Sequence, residues 1–195
     1  MNTPASRKCY VISILSKWGE AGIVKHRSNS AAAIGFARHD HRRCINRALH
    51  EADAYCQLNK LRFTKVRRRT LGILLESHSA VGAYEVLDRL KAEGLGSKPP
   101  IVYRALGFLL DNGFIHRIER LNAYIACSQP GDSHDPGFLI CTDCKCVAET
   151  NVNSAGTLAK CARDSGFQIQ HTTLEAEGRC PRCQRASELT HTGHR

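Results

Sequence analysis

Apolar residues first recur at helical spacing from His39 onward. Cys44, Ala48, Ala52 and then Tyr55 with Cys56 share one face, and Asp40 can cap a helix that runs to about Asn59. Residues 1–38 show no such period and are read as a loosely ordered N-terminal extension. Thr64 can cap a second helix carrying Val66, Leu71, Leu74 and Leu75, with Arg67, Arg68 and Arg69 on its first turns. Ser79–Gly82 turns the chain, and Tyr84, Leu87 and Leu90 space a third helix that stops at Gly94 and Gly96, where glycine tolerates a left-handed exit. A fourth helix opens at Ser97-Lys98-Pro99-Pro100, because first-turn amides have no helical partner for proline to remove, and runs to Asn112-Gly113. Its buried stripe is Val102, Ala105, Leu106, Leu109 and Leu110, which leaves Tyr103, Arg104 and Gly107 outward.

The pattern then shortens. Phe114–Ile118, a turn at Leu121-Asn122, and Ala123–Cys127 read as a two-stranded hairpin. Helices followed by a hairpin predict a winged helix-turn-helix over residues 39–128, in which the last helix enters the major groove and the wing lies along the DNA backbone. The polar stretch Gln129-Pro130-Gly131-Asp132 marks a boundary. Beyond it, strands are expected at 138–141, 147–152 and 167–176, with a helix over 157–164, in a small α/β domain spanning 129–188 before a tail at 189–195. The fold class is α+β. The second half is thin in aliphatic residues, so it needs a metal or a partner subunit to be stable.

Composition narrows the function. The chain of 195 residues is 42% apolar and carries a formal charge of +10. Through Leu75 it holds 15 basic and 4 acidic residues, whereas the remainder holds 13 and 14, so all the excess positive charge is N-terminal. Such a bias favours a polyanion, since each Lys or Arg set against a phosphate releases condensed counterions. No apolar run is long enough to span a membrane. Cys9–Leu15 resembles a short signal core but is interrupted by Lys17, Trp18 and Glu20, and a cytoplasmic location with reduced thiols is expected.

Of ten cysteines, seven lie from Cys127 onward. Cys141-x-x-Cys144 and Cys180-x-x-Cys183 are separated by 35 residues. Two sulfurs on each tight turn supply the tetrahedral thiolate cage that zinc prefers, and a structural zinc site of four cysteines follows. Cys180-Pro181-Arg182-Cys183 also resembles a redox pair, but such pairs open a helix after an early strand, and here a matching pair stands upstream. Cys146 is left as a spare thiol. A second set is less evident from spacing: His116 and Cys127 on the wing strands, His134 after the linker, and Glu149 in the strand after the first knuckle. Singly each such residue is more often structural or exposed; together they could close a tetrahedron of two nitrogens, a sulfur and an oxygen between the two domains.

The run Ser97–Leu109 with Asn112-Gly113-Phe114-Ile115-His116 resembles the recognition helix and wing of the ferric uptake regulator (Fur) family. Its Pro99-Pro100 start and the strand Asn122–Cys127 resemble the zinc uptake regulators (Zur) within that family. The resemblance covers roughly His39 to Ala186. It implies a homodimer paired through the C-terminal halves, with structural zinc on Cys141, Cys144, Cys180 and Cys183. It further implies a sensing zinc on His116, Cys127, His134 and Glu149, hence two zinc ions per protomer, with His171 as the alternative to His134. Base readout falls on Tyr84 and Arg104, with Tyr103 and Lys98 beside them, while Arg67 and Arg68 would grip the phosphate backbone or form a solvated face. Three features depart from the family. Lys65 stands where proline is usual, Lys145 where glycine is usual, and the extension through Arg38 has no counterpart.

The implied function is a zinc-responsive repressor that binds operator DNA as a dimer when its regulatory site fills and controls zinc uptake genes. The Cys127 thiolate favours zinc over iron(II) or manganese. An iron- or peroxide-responsive repressor and a non-regulatory zinc-ribbon partner protein are the alternatives. An enzyme using Glu149 or Glu175 as base is not expected, since the zinc-deaminase signature is absent: Arg179 precedes Cys180, and no His lies two residues before a Glu. Neither a membrane nor a small-molecule substrate is expected as a partner.

Overall fold

The computed structural model describes residues 41–76, 79–96, 98–130, 136–151, 155–170 and 172–191; the extension through Arg38, His134 and His171 lie outside them. Helix α1 spans His41–Leu58, and Ala52 and Cys56 on its inner face are 1% exposed. Helix α2 spans Lys65–Leu75, with the Thr64 side chain accepting the Arg67 N–H at 3.3 Å, so the cap forms although lysine follows it. Helix α3 (Ala83–Ala92) exits through Gly94 at φ +69°, and α4 (Pro99–Asp111) begins on its proline pair and is followed by Gly113, also at φ +69°. Val102, Ala105, Leu106 and Leu109 of α4 are buried against α2 and α3, while Leu110 is half-buried. Helices α2 and α3 are tied by Arg69 of α2, whose guanidinium pairs with both carboxylate oxygens of Glu93, just past α3, at 2.9 and 2.7 Å and with Glu76 at 2.6 Å.

The hairpin of β2 (Ile115–Ile118) and β3 (Ala123–Ala126) gains a third strand, β1 (Val81–Gly82), which pairs with β3. Two residues carry too little alternation to announce a strand, and β1 exists because Tyr124 and Ala123 lie opposite Val81 and Gly82. Asn122 turns the hairpin at φ +46°.

Strand alternation decides what each face of the hairpin meets. Ile115, Tyr124 and Ala126 look toward the core of the helices, which also holds Leu71, Ile73, Leu74, Val86 and Leu90. His116, Ile118 and Ile125 take the opposite face, and Ile118 and Ile125 enter a second core with Phe138, Ile140 and Val147. The hairpin is therefore buried on both sides, between the helices and a second sheet.

That sheet has order β5-β4-β6, with β4 (Pro136–Cys141) antiparallel to β5 (Val147–Asn151) and parallel to β6 (Leu174–Gly178). Helix α5 (Ala155–Asp164) makes the crossover, and α6 (Pro181–His191) ends the described chain. The mixed α+β architecture matches the sequence reading, with two differences besides the added strand β1. The strand expected over 167–176 is only Leu174–Gly178, its predicted start at Phe167 being exposed and outside any strand, and α6 was not foreseen. Ser79 bridges Cys146 in the antiparallel sense, a further backbone link between the two halves. Among the described residues no helix is long and apolar enough to cross a membrane.

Candidate metal centres and nucleic-acid face

The ends of β4 and β6 bring the two cysteine pairs together. Cys141 closes β4, Cys144 stands on the turn after it, and Cys180 and Cys183 flank the start of α6. Their four sulfur atoms lie within 4.8 Å of one another, and Cys144 and Cys180 Sγ are 3.7 Å apart. A tetrahedral zinc with sulfurs at about 2.3 Å places neighbouring sulfurs roughly 3.8 Å apart, so the cage fits the ion. Backbone N–H groups aimed at the sulfurs favour thiolate. Hydrogen bonds from the Cys144 and Cys180 amides, the latter at 3.3 Å, bring Cys141 down to about 6. Cys183 is pushed up to about 12, chiefly by its hydrogen bond with the Cys180 sulfur and then by burial. Four thiolates at this separation need a cation between them. Pro181 does open a helix after a strand, as a redox pair would, so it is the presence of Cys141 and Cys144 that favours the metal reading.

The second set converges on the hairpin. His116 lies on the face of β2 turned to the second sheet, and Cys127, two residues beyond Ile125, continues that face, fixed by its N–H to Phe114 O at 2.9 Å. Glu149 reaches them from β5. Its Oε1 is 3.4 Å from His116 Nε2 and 3.9 Å from Cys127 Sγ, and the three donor atoms fall within 4.8 Å of one another. Nitrogen and oxygen ligands at about 2.0–2.1 Å of a tetrahedral zinc stand roughly 3.4 Å apart, and a sulfur–oxygen pair roughly 3.6 Å. The two separations from Glu149 Oε1 are within a few tenths of an ångström of these values.

Sequence reasoning missed the groups that aim these donors. Ser128 N–H donates to Glu149 Oε2 at 2.7 Å, which turns Oε1 toward the cluster, and the Phe138 ring lies 5.4 Å from the His116 ring. Glu149 is only 8% exposed. Burial alone would lower the His116 pKa, but hydrogen bonds with Cys127 and then Glu149 outweigh it and raise the group to about 9. Of the four residues proposed for this site, three meet; His134 lies outside the described residues.

The face of α4 opposite its buried stripe presents Tyr103 and Arg104, with Lys98 exposed at its start and Tyr84 68% exposed on α3. Core packing is thereby excluded for Tyr84. Arg67 is differently placed: its guanidinium lies 3.6 Å over the Phe108 ring and donates to Arg62 O at 2.5 Å. Arg68 lies 3.7 Å from Asp53, and Arg69 is occupied by Glu93 and Glu76.

Residues 58–177 match the ferric uptake regulator family. The chain belongs to that family. Its Fur-family relatives include the zinc uptake regulation protein of Escherichia coli (strain K12), 33% identical over 147 residues that make up 73% of this chain and 85% of the relative. The corresponding Shigella flexneri protein matches equally well. Two solved Fur-family structures share the fold. One, a zinc uptake regulator complexed with zinc and DNA, has TM-score 0.70 and 32% identity, covering 74% of this chain and 97% of that one. The other, holo XcZur, has TM-score 0.65 and 36% identity, covering 72% and 99%. Fur proteins are transcription regulators, not enzymes. One departure from the family pattern has a local consequence: Lys145, where glycine is usual, adopts φ +59°, a left-handed conformation that costs a non-glycine residue about 1–2 kcal/mol.

Proposed function

We propose that this protein is a zinc-responsive transcriptional repressor that binds operator DNA as a homodimer in the cytoplasm and controls zinc uptake genes. The observation that carries the reading is the meeting of His116, Cys127 and Glu149 at the seam between the wing and the second sheet. With His134 as fourth ligand these residues would hold the regulatory ion, and Cys141, Cys144, Cys180 and Cys183 the structural one, giving two zinc ions per protomer. Zinc, when bound, supplies a tetrahedral cross-link between elements from the two halves of the chain. His116 and Cys127 orient the hairpin against Glu149, and the hairpin in turn sets the angle of α4. In a dimer that angle fixes whether two recognition helices reach successive major grooves. By linkage, DNA that prefers the closed arrangement raises the affinity of the same residues for metal.

Arg104 offers its planar fork to guanine N7 and O6, with Tyr84, Tyr103 and Lys98 around it. A groove of about 450 Å³ lined by Leu158, Cys161, Ala162 and Phe167 supports pairing through the C-terminal half, since Leu158 and Phe167 are 51% and 69% exposed. The Cys127 thiolate selects zinc over harder ions. The relatives named for zinc uptake, and the structure with zinc and DNA, support both the metal and the nucleic acid.

The test is zinc content per protomer together with duplex affinity across buffered free zinc. Wild type is expected to hold two ions and to bind DNA only when both are present. Cys127→Ser is expected to hold one, remain dimeric, and lose the zinc response; a wild-type-like response in that variant refutes the assignment.

A further inference from the structure

The hairpin is also held to the second sheet at its tip, by groups outside both metal sites. Glu175 on β6 accepts the Glu119 N–H at 2.6 Å through one carboxylate oxygen and the Arg120 N–H at 3.0 Å through the other. Arg120 Nε meets Glu177 Oε1 at 2.6 Å. Strand register explains why this is the same face that carries the regulatory site: Phe138 of β4 stands opposite Glu149 on one side and Glu175 on the other. One rung of the sheet thus presents carboxylate, ring and carboxylate to the hairpin. Glu149 receives the base of the hairpin, where His116 and Cys127 lie, and Glu175 receives its turn.

We infer that Glu175 is a positioning residue for DNA binding, clasping the wing turn so that the hairpin docks in the orientation from which the metal site at its base can close. This rests on the reading under Proposed function. A four-residue strand is a lever of about 13 Å at 3.3 Å per residue, so fixing only its base leaves the tip free to swing. Two consecutive backbone N–H groups on one carboxylate form charge-assisted hydrogen bonds whose donors have no side-chain rotamers to order, unlike the side chains of an exposed ion pair. The Arg120–Glu177 pair, with side chains 62% and 37% exposed, is of the weaker kind. Similarity to the zinc- and DNA-bound relative over 74% of this chain, at TM-score 0.70, favours a clasp that is engaged in the binding arrangement over one that must release the wing.

The experiment uses the full-length zinc-loaded chain as wild type, Glu175→Gln and Glu177→Gln. Its probe is a duplex recovered from a random-sequence pool by the wild type. Amide exchange at Glu119 and Arg120 is followed alongside duplex affinity with and without the chelatable zinc. Glu175→Gln keeps the structural zinc and the dimer, speeds exchange at both amides at least about tenfold, and weakens zinc-loaded duplex binding about tenfold, the equivalent of one charge-assisted hydrogen bond. Glu177→Gln changes either readout by less than about twofold. Unchanged exchange in Glu175→Gln overturns the clasp, as does unchanged or tighter duplex binding. So does a loss that is equal with and without zinc, which would mark Glu175 as a support of the fold alone. Wild-type affinity indifferent to zinc would refute the zinc-responsive reading, a result separate from the exchange measurement.

Discussion

Ile118→Ala tests whether the second core sets the metal response. Ile118 is fully buried, on the hairpin face that meets Phe138, Ile140 and Val147. If the hairpin leaves the sheet when metal is absent, Ile118 becomes exposed, and its burial is a difference between the closed and open states. Alanine removes three carbons, and at about 0.8 kcal/mol for each buried group the closed state loses about 2 kcal/mol, a factor of about thirty in the closed-to-open ratio. Leu74→Ala removes a similar volume from the first core, where Leu74 packs among the helices in either state. Both variants are expected to lose about 2–5 kcal/mol of global stability, read from denaturant midpoints. Only Ile118→Ala should raise the free zinc needed for half-maximal duplex binding, read by fluorescence anisotropy against buffered zinc. Equal shifts in the two variants, or none in either, would refute the argument that the seam opens.

Arg104→Ala is expected to weaken binding to a selected duplex by about 1–3 kcal/mol while leaving binding to random-sequence DNA nearly unchanged. Equal losses in a gel-shift titration would make Arg104 a phosphate contact. Cys183→Ala breaks the cage at the end of the sheet, where its sulfur lies within 4.8 Å of the other three. It is expected to lower the zinc content, destabilise the β4–β6 pairing and abolish the zinc response; metal analysis with far-ultraviolet circular dichroism checks this, and a folded, responsive variant would contradict it.

Much of the fold was legible because its signals are local. Thr64 caps α2, Gly94 and Gly113 provide left-handed exits, and the short runs Phe114–Ile118 and Ala123–Cys127 on either side of the Leu121-Asn122 turn mark the hairpin. The cysteine pairs were legible for the same reason, each closing on its own turn. What was not legible depends on partners distant in sequence. Arg67 looks like a free cation until Phe108 is placed beneath it, and Arg69 until Glu93 and Glu76 are placed beside it. No spacing rule brings Glu149 to His116 and Cys127; the family resemblance proposed that set, because convergence of a hairpin and a sheet leaves no period in the sequence. The stretch Leu174-Glu175-Ala176-Glu177 departs from its own pattern. Its alternation suggests glutamates toward solvent, yet Glu175 is half-buried against the wing turn while Leu174 is 42% exposed.

The cage and the seam are joined by strand register. Parallel pairing of β4 with β6 in a small three-stranded sheet is weakly stabilised by its own ladder. Cys141 at the end of β4 and Cys180 just past β6 tie those two strands at one end, and Thr142 N–H donates to Gly178 O at 2.8 Å beside the tie. That fixes which residue of β6 stands opposite Phe138. A slip of one residue would turn Glu175 to the far face and present Leu174 or Ala176 to the wing, because side chains alternate with a period of two. If zinc fills the four-cysteine cage as proposed, it would do more than stabilise a small domain: by tying β4 to β6 it would keep Glu175 on the rung of Phe138, where the β4–β5 ladder already sets Glu149, so that the hairpin can be grasped at its base and its tip together.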